Sequence, residues 1–126
     1  MRYFWFFASD WGPNKVFWAR NEVQYWSEFD RLWVEIERAG LSTIPSLGTD
    51  DWHLVANAVT PGLAEDANAP VTNASSVSRH MALRYFSQFV ARYRQRPSVL
   101  LWELGNELNL LTNLPPTAAL RCNPVL

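Results

Sequence analysis

Apolar residues fall along this chain in blocks whose spacing alternates between strand-like and helix-like. Tyr3 to Ala8 is a nearly unbroken apolar run, the pattern of a strand covered on both faces of its sheet. Ser9-Asp10-Trp11-Gly12-Pro13-Asn14 then ends it with turn-forming residues. Farther on, Phe29, Leu32, Trp33 and Ile36 stand at i, i+3, i+4 and i+7, and Asn21 with Gln24 has capping-box spacing. The spacing predicts a helix over 21–39, stopped by Gly40 in the left-handed conformation.

Leu41 to Leu47 reads as a second strand, cut by Gly48-Thr49-Asp50. From there to Ser75 the composition is irregular and rich in Ala, Asn, Asp, Pro and Thr, so the stretch reads as a long functional or mobile connection. Ser75 or Ser76 caps a second long helix, whose apolar stripe is Ala82, Phe86, Phe89, Val90 and Tyr93, and Pro97 marks its exit. Ser98 to Leu104 is a third apolar strand, with Gly105-Asn106-Glu107 at its C-terminal end. Both helices are long enough to be crossover connections, so the order strand, helix, strand, helix, strand predicts an α/β chain: three parallel strands covered by helices, with right-handed crossovers. No internal repeat, low-complexity block or linker divides it.

Composition narrows the partners. A net charge of −1 over 126 residues gives no concentrated basic face for nucleic acid or an anionic membrane, whereas a neutral polymer is compatible. No apolar run approaches the roughly 18 residues of a membrane helix, and Met1 to Phe7 is too short and too aromatic for a signal peptide, so no localisation follows. With Cys122 the single cysteine, no intrachain disulfide forms. Seven tryptophans are unusually many; about half are expected in the core and the rest on a cleft surface.

The chemistry-bearing segment is the third strand with its tip, Trp102-Glu103-Leu104-Gly105-Asn106-Glu107. Glycoside hydrolysis needs a carboxylic acid to protonate the leaving oxygen, and a neighbouring amide holds the sugar 2-hydroxyl, whose hydrogen bond strengthens in the transition state. Asn106 and Glu107 supply both groups. Glu103 is an even number of residues from Glu107, so strand alternation puts it on the same side, in a buried ion pair or as hydrogen-bonded support rather than as a reacting group. Trp11 and Trp52 follow the first two strands and are the candidate sugar platforms, while Trp33 lies on the helix stripe and belongs to the core. His53 has no second His or Cys at metal-ligand spacing, so no metal is implied, and nothing calls for an organic cofactor. Asn73-Ala74-Ser75 matches a glycosylation acceptor, a triplet common by chance.

Trp102 to Glu107 resembles the fourth-strand motif of the retaining (β/α)8-barrel glycoside hydrolases, especially family-5-like endo-mannanases and cellulases. Arg92 to Ser98, Gly40 to Leu47 and Phe6 to Ser9 resemble segments of the same family in the same order, covering about residues 1–114. The resemblance implies a partial TIM barrel, with the three strands standing as the second, third and fourth of eight, joined by two crossover helices. It also implies Glu107 as general acid/base, Asn106 at the 2-hydroxyl, and a polysaccharide substrate, β-mannan or β-glucan. The family's nucleophile lies on the seventh strand, and Glu107 is the last acid here, so the chain is expected to need a missing barrel half or self-association through open sheet edges. A full barrel takes about 250 residues. Two departures stand out: Trp5 occupies the position where the family usually has an arginine, and the tail 115–126 resembles nothing in it. A non-catalytic carbohydrate-binding protein is the alternative, and retention of both Asn106 and Glu107 favours the enzyme. A nucleotide-binding α/β enzyme lacks support because no Gly-rich phosphate loop follows the first strand.

Overall fold

The computed structural model describes residues 2–7, 11–48 and 51–104, with side chains over 14–48 and 51–104. Strands β1 (Arg2–Phe7) and β2 (Leu41–Ser46) pair in parallel, with Arg2 opposite Leu41 and Phe7 opposite Ser46. Helices α1 (Trp11–Arg20) and α2 (Glu22–Arg38) connect them. After β2 come α3 (Trp52–Val59), α4 (Ala69–Thr72) and α5 (Val77–Tyr93).

The expected partial TIM barrel, three parallel strands with two crossover helices, is overturned. The described residues are predominantly helical, with five helices and a two-stranded sheet. Ser98 to Leu104 is not a strand; it touches β2 only at two isolated bridges, Thr43 with Val99 and Ser46 with Glu103. Pro45 supplies the reason. Thr43 N donates to Ser98 O at 2.7 Å and Leu100 N to Thr43 O at 3.0 Å, the start of a parallel ladder. Residue 45 should donate next, and proline has no N–H. Contact resumes one residue out of step, with Glu103 N donating to Pro45 O at 2.9 Å and Leu47 N to Glu103 O at 2.8 Å. An extra residue therefore bulges between the bridges. Side-chain parity agrees: Val99 and Trp102 both pack on the core although three apart, which an uninterrupted strand forbids.

Three helices, α1, α3 and α4, form where turns and loops were expected. Gly12 and Pro13 fall in the first turn of α1, where a missing N–H costs no helical hydrogen bond. The stretch after Gly48 is likewise built rather than irregular, because Asn57 and Glu65 clasp α3 to its following loop: Asn57 Nδ2 donates to Glu65 O at 2.8 Å, and Glu65 N donates to Asn57 Oδ1 at 2.9 Å. The long helices start and stop as the sequence predicts. Asn21 Oδ1 accepts from Gln24 N at 3.2 Å, Gly40 has φ +67°, and Ser76 Oγ accepts from Arg79 N at 3.2 Å. Their buried faces are rotated from the expected stripes. In α2 the buried residues are Tyr25, Trp26, Trp33 and Ile36, with Leu32 exposed; in α5 Tyr85 is buried and Phe86 only partly so.

These faces meet in an aromatic core. Trp33 stacks on Tyr93 at 4.1 Å and 8°, Trp26 stacks on Tyr85 at 5.7 Å, and Trp18 meets Tyr85 edge-on at 5.2 Å. Asp30 pins the rim: it accepts from Tyr93 Oη at 2.9 Å and Arg92 Nε at 2.9 Å, and pairs a second time with Arg92 through its other oxygen. The Arg92 hydrogen bond, aided by Tyr93 and opposed by partial burial, holds the Asp30 carboxyl below its ordinary range.

Two measurements test the Asp30 anchor and the bulge. Because the folded Asp30 pKa is depressed, its stabilisation is present above the unfolded value, about 3.9, and is lost as pH falls through the lower folded value. Asp30→Asn should therefore flatten the acid limb of a Tm-against-pH profile relative to the unmodified chain. In native-state hydrogen exchange, the amides of Thr43, Leu47, Leu100 and Glu103 should be protected and that of Trp102 should not. A regular ladder would protect Trp102 in place of Glu103.

Candidate functional site

Parallel pairing brings the chain exits of β1, β2 and the stretch ending at Leu104 to one end of the sheet, since Phe7 lies opposite Ser46 and Ser46 opposite Glu103. On β2 the face bearing Thr43, Pro45 and Leu47 looks toward the helices, and Leu47 is part of the hydrophobic core. Ser46 projects from the other face. A directly bridged partner shares that face, so Glu103 stands beside Ser46, on the side away from the helices. The bulge is what puts it there; without the extra residue Trp102 would occupy that position and Glu103 would turn toward the core. Ser46 is fully buried, and its Oγ has no hydrogen-bond partner among the described residues. Sequence reasoning passed over Ser46, because a serine in an apolar strand carries no signal until its neighbour is known.

The expected catalytic pair, Asn106 and Glu107, lies outside the described residues, as does the tail 115–126. In sequence they follow Leu104 by two and three positions. Trp11 opens α1, and its side chain lies outside the described residues.

Trp52, expected as a sugar platform, is a core residue. It is 0% exposed; Trp18 at 5.9 Å and Phe86 at 5.9 Å meet it edge-on, Tyr85 lies at 5.3 Å, and the Lys15 ammonium sits 5.1 Å from its ring centroid. Its Nε1 donates to Gly48 O at 2.9 Å, which fastens α3 to the end of β2. The indole therefore shapes the strand end from beneath and presents no open face. Trp18, Trp26 and Trp33 are buried too, and Trp102 packs against the same cluster, so the core takes more tryptophan than the half expected.

The region after α3 serves the fold. Glu65 caps α5, its carboxylate accepting from Val77 N at 2.7 Å and Ser78 N at 3.0 Å. Burial acts to raise the Glu65 pKa, but the hydrogen bonds from Ser78 and Val77 and the nearby His53 outweigh it and hold the group ionised to lower pH. Two shallow depressions, about 480 Å³ along α2 and about 390 Å³ between α2 and α5, lie on the helical side, away from the Ser46–Glu103 face. The second is floored by Trp26 and walled by Glu22, Gln88 and Arg92, which are committed to one another and to Asp30. Among the described residues no group of three His, Cys, Asp or Glu is placed to hold a metal ion, and no helix is long and apolar enough to cross a membrane. In comparisons with family models, curated proteins and solved structures, the chain matches none.

The placement of Trp52 has a direct consequence. Trp52→Ala should destabilise the chain by about 3–5 kcal/mol in denaturant titration, the range for emptying an aromatic core site. The Trp52 indole should also resist acrylamide quenching, as a ring at a ligand surface would not.

Proposed function

We propose that this chain contributes the proton-handling half of a retaining glycoside hydrolase site acting on β-linked polysaccharide, with β-mannan ahead of β-glucan. The observation that carries the reading is the sequence Trp102-Glu103-Leu104-Gly105-Asn106-Glu107, whose first three residues belong to the stretch bridged in parallel to β2 through Glu103. Carboxylate and amide chemistry following a strand-like stretch is what glycoside cleavage requires of its acid and of its 2-hydroxyl contact.

In this mechanism Glu107, protonated, gives its proton to the glycosidic oxygen as an attacking carboxylate forms a bond to the anomeric carbon and the leaving sugar departs. As a carboxylate, Glu107 then takes a proton from water, which displaces the enzyme's carboxylate and regenerates the acid. Asn106 donates to the 2-hydroxyl, a contact that tightens as the ring flattens toward the oxocarbenium-like state. The family that the motif resembles carries its nucleophile later in the chain, and no acid follows Glu107 in this sequence, so this reading takes the nucleophile from a further polypeptide segment or a second copy. The same residues without a nucleophile would serve a carbohydrate-binding protein, which binds and does not cleave.

Azide can stand in for the missing nucleophile. With an aryl β-mannobioside or β-cellobioside, azide attacks the anomeric carbon, the aryl oxide leaves with the Glu107 proton, and the product is a glycosyl azide of inverted configuration. The chain should form this product with azide present and leave soluble mannan and cellulose derivatives intact. Glu107→Gln should slow azide-supported turnover of a poorly activated aryl glycoside by about 10²-fold or more and leave mannohexaose binding unchanged. Equal rates in chain and variant would remove Glu107 from the chemistry; hexaose binding without any azide product would favour the binding protein.

A further inference from the structure

Two adjacent serines close the short loop between α4 and α5, and their hydroxyls are used differently. Ser76 is buried; its Oγ donates to Ala69 O at 3.0 Å and accepts from Arg79 N at 3.2 Å, so it is committed to the start of α5. Ser75 is exposed, and its hydroxyl has no partner among the described residues. Asn73, two positions earlier, is exposed as well. Asn21 and Asn57 spend both ends of their amides, the first on Gln24 and the second on Glu65. Asn73 spends only one: its Oδ1 accepts from Ser75 N at 2.9 Å, and among the described residues its Nδ2 has no partner. The backbone holds both residues in place, with Asn73 N donating to Ala69 O at 3.0 Å and Ser76 N to Asn73 O at 3.1 Å.

We infer that Asn73 is an acceptor for N-linked oligosaccharide, read through Asn73-Ala74-Ser75. Of the asparagines in the chain, only Asn73 has a hydroxyl residue two positions on, and the residue between is not proline. The triplet alone is common by chance; the uncommitted Nδ2 and the uncommitted hydroxyl on one exposed loop are what single it out. In the transfer, Asn73 Nδ2 attacks the anomeric carbon of an oligosaccharide carried on a lipid pyrophosphate. The C–N bond forms, the bond from that carbon to the pyrophosphate oxygen breaks, the lipid pyrophosphate leaves, and the amide gives one of its two protons to a base of the transferring enzyme. The Ser75 hydroxyl positions the acceptor and is not consumed. The folded chain can hold the product, since the sugar leaves from an atom that no fold contact uses. Val71 and Val77, 40% and 36% exposed, stand two and four positions from Asn73 along the chain, apolar surface that a bulky, solubilising sugar shields. The glycoside reading is not needed for any of this.

The test secretes the full chain, behind a cleavable leader, from cultured animal cells. It should reach the medium carrying sugar that peptide N-glycosidase removes, with conversion of the Asn73 amide to a carboxylate seen by mass spectrometry. Ser75→Ala keeps the backbone N–H that Asn73 Oδ1 accepts from and should lose the sugar; Ser75→Thr retains a hydroxyl and should keep it. The glycosylated chain should melt at or above the Tm of the unmodified Ser75→Ala chain. Secreted chain without sugar at Asn73, sugar that survives Ser75→Ala, or a glycosylated chain that melts well below the variant overturns the inference. If secretion fails, translation into microsomes reads the transfer without requiring a folded product, and absence of sugar there overturns it equally.

Discussion

Among the described residues, most buried tryptophans and tyrosines satisfy the polar tip without surrendering the ring to water, and that constraint fixes how the helices sit on β2. Burying such rings is strongly favourable, but an indole N–H or phenol left without a partner in the interior would cancel much of the gain. Partners are found one by one. Trp18 Nε1 donates to Gln88, Trp33 Nε1 to Ser98 Oγ, Trp52 Nε1 to Gly48 O, Tyr93 Oη to Asp30, and Tyr25 shares a 2.7 Å hydrogen bond with Tyr85. Most of these tie α2 or α5 to elements far away in sequence, so the aromatic layer sets rotation as well as burial. Ser98 passes the effect on through Glu37, which it contacts at 3.0 Å and which also holds Arg96, fastening the end of α5 to α2.

That rotation explains why some features could be read from the amino-acid order and others could not. Caps are local and were legible: Asn21 with Gln24, Gly40 and Ser76 stand where the spacing puts them, because a cap needs only the next three residues. The buried stripes were legible to within one position. A simple hydrophobic count ranks Leu32 and Phe86 above tyrosine, yet Tyr25 and Tyr85 went inside because each gives the other's hydroxyl a partner, a fact that arises only when two helices meet. Burial raises both hydroxyl pKa values, consistent with a pair held neutral in the interior.

The third strand shows the opposite limit. Ser98 to Leu104 has the composition of a strand, and its failure to become one is written in Pro45, more than fifty residues earlier. Reading that interruption requires knowing which carbonyls Pro45 would face. Likewise α1 was masked by Gly12-Pro13, a pair that signals a turn in isolation and is equally at home in the first turn of a helix. The proposed acid and amide, Asn106 and Glu107, can be named from sequence alone because they are adjacent, whereas the bridge between Ser46 and Glu103 cannot, because those two become neighbours only through the bulge.

The bulge also bears on where Glu103 stands. In an uninterrupted strand Glu103 would turn toward the core, where a carboxylate is costly to bury. Glu103 is instead tied at its backbone on both sides, its N to Pro45 O and its O to Leu47 N, so β2 alone fixes its place. The clamp fixes the point from which the Glu103 side chain starts, on the face it shares with Ser46. Under the proposed function proton transfer is given to Glu107, and the clamped Glu103 is left a positional role on that face.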